Sequence, residues 1–194
     1  MQNVMEQSRL LMERAAGGPL PEWERIRESG QLRPFAKGSQ IFAPGEWQPY
    51  VYVIRQGIVK LNYLTENGQE WIKSFIGEGE LFACPTVLIS GQKTDYFATA
   101  LEDSQIEQID YEILQQLIER HPLWQKVTRQ LLESHIMRKE QRERELLTMT
   151  PEQRYRAFLA QNPAVFQRIQ LRDLAHYLGV TPEALSRIRK RVQM

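Results

Sequence analysis

Residues 177–190 read "YLGVTPEALSRIRK", and the rest of the chain is best read outward from them. Gly179 can supply the positive φ of a tight turn between two helices. Ala175, four residues earlier, is small enough for a close helix crossing. Val180 can plug a core from the turn, Thr181 can cap a second helix, and Pro182 suits that helix's first position. At about 100° per residue, Ala184, Leu185, Ile188 and Val192 fall on one side, where Leu174 and Leu178 can cover them. Glu183, Ser186, Arg187 and Lys190 fall on the other side, spaced i, i+3, i+4, i+7 as one polar strip. This is the layout of a helix-turn-helix. The strip suits base edges in a DNA major groove: Arg can grip guanine at two acceptors, Glu can accept from the cytosine amine, and Ser can do either. It lies toward the start of the second helix, the end that enters the groove. The alternative is a solvated face on a terminal helix. Capping, turn position, burial pattern and charge agree on DNA reading.

Charge follows the same division. The chain has 194 residues and a formal charge of +1, but residues 151–194 hold eight Lys+Arg against three acids, a net +5 that leaves −4 for the remainder. A basic C-terminal module favours a polyanionic partner. Thr150 reads as an N-cap, Pro151 as the first helical residue and Gln153 as the other half of a capping box, so the module starts at a break at residues 148–150.

Before that break, residues 122–147 contain no glycine and no proline after Pro122. A helix of that length spans about 39 Å. Leu123, Val127, Leu131 and Leu132 make its first half apolar, whereas "RKEQRERE" makes its second half charged, with no clean heptad. Pairing with a second copy of itself and packing on its own β-domain are both open, and pairing is favoured. "YEILQQLIER" precedes it as a helix with Ile113, Leu114, Leu117 and Ile118 on one face.

From Gln31 to Asp110, short runs rich in β-branched and aromatic residues alternate with glycine turns. In "IVKLNYLT", Ile58, Leu61 and Leu64 are apolar with Lys60 and Asn62 interleaved, and Asn67-Gly68 signals a hairpin in which both turn residues need positive φ. Many short strands with regular turns point to a small antiparallel sandwich or barrel. Residues 4–16 and 20–29 read as short helices, broken by Gly17-Gly18-Pro19.

No apolar run approaches the roughly 18 to 20 residues of a membrane span, and the opening stretch does not read as a secretory signal. A cytoplasmic location is the simplest expectation. Cys84 is the one cysteine, and its neighbours Phe82, Pro85 and Val87 suggest a buried thiol. That excludes a disulfide framework and an iron–sulfur cluster, which takes about four thiolates. No metal site is expected. His121, His135 and His176 fall in helical stretches, which does not favour a haem ligand. No nucleophile elbow, metal-spaced His cluster or phosphate loop appears, so no enzyme activity is expected.

Taken together, these features resemble the Crp/Fnr family of bacterial transcription regulators over nearly the whole chain. "YLGVTPEALSRIRK" is similar to the family's "LG(V/I)TxExxSR" recognition segment, and "ATALEDSQIEQI" is similar to a strand pair that recurs in it. The resemblance implies an α+β chain. A β-roll of cyclic-nucleotide-binding type with N-terminal helices would occupy 1–121. A long dimerisation helix and hinge would occupy 122–149, and a helix-turn-helix domain 150–194. It implies a homodimer through residues 122–147 that binds an inverted repeat in double-stranded DNA, with RNA polymerase as a possible partner.

Position by position, Glu183, Ser186 and Arg187 match the base-reading residues of the Fnr-like subgroup, which implies half-sites resembling TTGA. Gln170, Arg172 and Thr181 fall where the family contacts phosphates, and Arg189, Lys190 and Arg191 are available for the same task. Pro182 stands where some members have an arginine. Gly79-Glu80-Leu81 matches the first half of the family's cyclic-nucleotide cassette. In the second half Thr94 and Asp95 stand where Arg and Ser belong, and Lys93 is one position off. A carboxylate beside a phosphate is repulsive and no guanidinium offsets it, so cyclic AMP is not the expected effector. The family continues into a two-stranded wing that this sequence is not expected to have. A cyclic-nucleotide or other small-molecule sensor whose output is not DNA binding is the alternative reading.

Overall fold

The structure is a computed structural model, and it describes residues 4–192. Eight strands form two antiparallel sheets: β1 (Gln31–Phe35), β2 (Gln40–Phe42), β3 (Tyr50–Gln56), β4 (Val59–Leu64), β5 (Glu70–Ile76), β6 (Leu81–Ala83), β7 (Phe97–Ala100) and β8 (Ser104–Asp110). Their orders are β1-β8-β3-β6 and β2-β7-β4-β5, so apart from the β4–β5 hairpin each strand is followed by one in the other sheet, and the two sheets wrap into a roll. Aromatic rings fill the space between them. Tyr52 stacks on Phe82 at 4.9 Å, and Phe42 lies 5.5 Å from Tyr96 and 5.9 Å from Tyr52. Cys84 is fully buried in this cluster, as its neighbours suggested.

The β4–β5 hairpin forms where Asn67-Gly68 predicted it, but with a different turn. The connection runs from Thr65 to Gln69, closed by the Gln69 carbonyl accepting from the Thr65 N–H at 3.0 Å. Only Gly68 takes positive φ, at 78°, and Asn67 does not. The Thr65 hydroxyl and the Asn67 side-chain oxygen both accept from the Gln69 N–H, at 3.1 and 3.3 Å, and so favour the longer loop.

Two short helices, α1 (Glu6–Ala16) and α2 (Trp23–Ser29), pack with α4 (Tyr111–Arg120) and the start of α5 (Pro122–Thr148) against the first sheet. A short α3 (Pro85–Ser90) lies between β6 and β7. The N-terminal end of α1 has its cap supplied from a distant strand. The buried carboxylate of Glu107 on β8 accepts from the Gln7 N–H at 3.0 Å, the Ser8 N–H at 2.6 Å and the Ser8 hydroxyl at 2.5 Å. Trp124 on α5 stacks on Trp23 at 6.2 Å and 8°, and donates its indole N–H to the Pro21 carbonyl. The first half of α5 is thus held to its own roll, while Leu132, Ile136 and Met137 further along stay exposed.

The C-terminal helices are α6 (Pro151–Gln161), α7 (Pro163–Phe166), α8 (Leu171–Leu178) and α9 (Pro182–Val192). They form a third core of Tyr155, Phe158, Leu174, Ala175, Leu178, Leu185 and Ile188. This module packs on the outer face of the β4–β5 hairpin. That contact explains why β4 is buried on both faces over Val59–Asn62, against a simple inward–outward alternation. Phe75 of β5 meets Tyr177 at 5.3 Å and Phe158 at 6.1 Å. Lys60 of β4 reaches Glu70 at 2.7 Å and Asp173 of α8 at 3.1 Å.

Candidate DNA interface

The helix-turn-helix is built from α8, the turn at Gly179 and α9. Gly179 takes φ 71° and donates its N–H to the Ala175 carbonyl, which also accepts the Val180 N–H at 3.0 Å. The Thr181 hydroxyl accepts from the Ala184 N–H at 3.2 Å and so caps α9. Leu185 and Ile188 are buried against Leu174, Ala175 and Leu178, with Ala184 and Val192 half-buried beside them. This anchoring fixes the rotation of α9 and turns Glu183, Ser186, Arg187 and Lys190 out to solvent. The Glu183 carboxyl is held below the usual carboxylate range by its own backbone N–H, then by the Thr181 hydroxyl and the charge of Arg187. It stays ionised at neutral pH, an acceptor for a base amine.

Gln170, at the N-cap of α8, and Arg172, in its first turn, are exposed, as is Thr181. Lys190 and Arg191 are exposed as well, and Arg191 lies 3.9 Å from Glu152. Arg189 is placed differently from its neighbours. It is half-buried, and its Nε is out of water without a hydrogen-bond partner among the described residues. A groove of about 780 Å³ runs between the start of α6 at Thr150 and Pro151 and the Arg187, Ile188 and Lys190 side of α9.

The capping box at the start of α6 forms as the sequence suggests. The Thr150 hydroxyl accepts from the Gln153 N–H, and the Gln153 side chain accepts from the Thr150 N–H. The break at residues 148–150 is bridged by one of the basic residues of the C-terminal module. Arg154 is buried and donates to the carbonyls of Met149 at 2.8 Å, Leu178 at 3.1 Å and Leu146 at 3.4 Å. It satisfies the last carbonyls of α5 and α8. Arg142 of α5 likewise donates to the Tyr177 carbonyl and lies 3.9 Å over the Tyr177 ring. Arg168, just before α8, is held by two carboxylates of the roll, Glu78 and Glu102. Sequence spacing could not single these residues out, because each partner comes from a different element.

The cassette residues of the roll lie on two loops. Glu80 is half-buried. Its carboxylate accepts from the Gly77 N–H at 2.9 Å and from Arg138 of α5 at 3.2 Å. Thr94 is buried, and its hydroxyl donates to the Ala43 carbonyl at 2.5 Å and accepts from the Glu46 N–H at 3.3 Å. Lys93 and Asp95 are exposed, Leu81 is half-buried, and Gly79 takes φ 78° in the turn that precedes β6. Glu80 and Thr94 therefore close loops with their polar atoms, and the stretch around Thr94, "GQKTDYF", holds no arginine to take a cyclic phosphate. Among the described residues, no group of three or more His, Cys, Asp or Glu is placed to hold a metal ion, and no helix is long and apolar enough to cross a membrane.

Comparison with known proteins agrees with this architecture. The family model of the cyclic nucleotide-binding domain matches residues 32–121, the roll and α4. The fumarate and nitrate reduction regulatory protein of Vibrio cholerae is 31% identical over 172 residues, which cover 83% of this chain and 68% of that protein. The regulatory protein HlyX of Actinobacillus pleuropneumoniae is 30% identical over 172 residues, 83% of this chain and 71% of that one. The structure of FixK2 from Bradyrhizobium japonicum shares the fold, with a TM-score of 0.74 and 21% identity over 84% of each chain. On these likenesses the chain belongs to the Crp/Fnr family of DNA-binding transcription regulators.

Proposed function

We propose that the chain reads an inverted repeat in double-stranded DNA as a homodimer, through Glu183, Ser186 and Arg187. The observation that carries this reading is the pairing of two faces on α9. Leu185 and Ile188 are buried and leave no rotational freedom, so the polar strip is presented as one rigid surface. Half-sites resembling TTGA follow from the family resemblance of those three residues. Gln170, Arg172, Thr181, Lys190 and Arg191 are proposed phosphate contacts, and Arg189 contributes less, given its burial.

The second copy is proposed to pair along α5. Leu132, Ile136 and Met137 are 50%, 56% and 67% exposed on a helix whose opposite side is already packed, a surface that a twin helix would cover. Residues 1–121 then act as the regulatory roll, 122–149 as the dimer helix and connection, and 150–194 as the reading domain. The commitments of Glu80 and Thr94 support an effector other than cyclic AMP. Contact with RNA polymerase and a cytoplasmic location complete the proposal.

The test is selection of bound duplexes from a random DNA pool at two salt concentrations, with Arg187→Ala as the matched control. An enriched inverted repeat that Arg187→Ala fails to select is the expected outcome. Salt-sensitive binding with no enriched sequence, or the same repeat selected by Arg187→Ala, would reject the assigned reading face.

A further inference from the structure

We propose that Arg168 is a DNA-backbone contact held in reserve, and that Glu78 and Glu102 of the roll occupy it in place of a phosphate. The proposal rests on the DNA-binding role of the module, but not on any particular half-site. Arg168 lies two residues before Gln170 and four before Arg172, at the end of the module where α8 begins. In a helix-turn-helix the first helix crosses the DNA backbone, and arginines there contact phosphates.

In this structure the Arg168 guanidinium faces its own roll. Nη1 donates to Glu78 Oε2 at 2.9 Å and Nη2 to Glu78 Oε1 at 2.6 Å. Nη2 also donates to Glu102 Oε1, and Nε to Glu102 Oε2 at 3.4 Å. A planar fork on two acceptor oxygens is the geometry an arginine takes on a phosphate as well as on a carboxylate. The carboxylates are fixed in advance. Glu78 Oε1 also accepts the Gly57 N–H at 2.8 Å, which ties it to the β3–β4 turn, and Glu102 sits in the β7–β8 turn. The same surface is lined by Lys37, Gln56 and Asp103 around an open cavity of about 630 Å³. Two carboxylates on one guanidinium leave that cluster net negative, so a DNA strand must displace them before Arg168 can serve it. Docking of the module on the roll and engagement of the backbone therefore compete for one side chain.

The test uses the full chain and a duplex of random sequence, whose binding reports phosphate contacts alone. Affinity is measured across a salt series for wild type, Glu78→Gln/Glu102→Gln, Arg168→Gln, the combination of all three, and Asp103→Asn. Glutamine keeps an acceptor for the Gly57 N–H, and thermal unfolding checks that each variant folds. The expected result is an affinity gain of about fivefold or more for Glu78→Gln/Glu102→Gln. Its salt slope should steepen by about 0.9, the value of one added phosphate contact. Both changes should vanish when Arg168→Gln is added, and Asp103→Asn should stay within about twofold of wild type. No gain on removing the two carboxylates would overturn the proposal. So would an equal gain with Arg168→Gln present or with Asp103→Asn, since either would reduce the effect to net charge.

Discussion

Lys60 shows how much a single side chain can carry between parts of this molecule. Its ammonium lies almost out of water, 2.7 Å from Glu70 and 3.1 Å from Asp173, and both carboxylates are themselves largely covered. Removing the cation leaves two buried negative groups facing each other, which costs far more than the pair contributes when intact. Lys60→Met should therefore destabilise the protein by about 3 kcal/mol or more in urea unfolding. Replacing Lys60, Glu70 and Asp173 together by apolar residues should recover much of that. Equal loss in the single and triple variants would show that the ionic cluster itself is not what matters. The glycines give a second contrast at this scale. A Cβ at Gly179 would find its nearest neighbour, a Leu146 methyl, at 3.8 Å, so Gly179→Ala meets only the backbone cost of a φ of 71°. That is about 1 to 2 kcal/mol. A Cβ at Gly57 would lie 2.1 Å from the Ser104 hydroxyl and 2.9 Å from its Cα, so Gly57→Ala should lose clearly more in the same assay. The role of Gly179 was legible from the sequence, because a helix-turn-helix needs a positive φ there. That of Lys60 was not. Its place in an alternating strand says only that it is polar, and its partner Asp173 lies 113 residues away.

At the scale of elements, α5 joins two environments. Its first half is fastened by Trp124 and Val127 to the helices over the roll. Its last turns are fastened to the C-terminal module by Arg142, and by Arg154 reaching back to the carbonyls of Leu146 and Met149. The length and start of this helix, and the capping box that follows it, could be read from proline positions and the Thr150–Gln153 spacing. The charged second half could not. A run such as "RKEQRERE" looks uniformly solvated, yet Glu145 is buried and Arg142 stacks on Tyr177. Between the fastened ends, Leu132, Ile136 and Met137 face solvent. Ile136→Glu places a charge in that stripe without touching the packed side. Light scattering should show the variant as a monomer while its thermal midpoint stays close to that of dissociated wild type. Its affinity for a two-half-site duplex should fall to that for a single half-site, because the second contact is no longer tethered. A variant that remains dimeric would move the proposed interface off α5.

For the whole molecule, the central question is how firmly the C-terminal module rests on the roll. An apolar contact centred on Phe75, Phe158 and Tyr177 sits beside two ionic ones, Lys60 with Asp173 and Arg168 with Glu78 and Glu102. The polar strip of α9 stays exposed in the docked arrangement, while Arg168 at the edge of the same module is engaged. The ionic part makes docking depend on pH in a definite direction. The hydrogen bonds from Arg168, with help from the Gly57 N–H, hold the Glu78 carboxyl at about 2, below its ordinary value of 4.5. A carboxyl whose value is depressed by folding stabilises the folded state above its ordinary value, and that contribution fades as pH falls toward the folded one. The Glu78 contribution to docking should therefore be constant between neutrality and about 5, and should weaken progressively from about 4.5 down to 2. Thermal unfolding of wild type and Glu78→Gln over a pH series separates this effect from the general acid response. Wild type should be the more stable near neutrality, and the two midpoints should converge as pH falls through that window. A gap that stays constant from pH 6 to 3 would mean that the Glu78 charge does not hold the module to the roll.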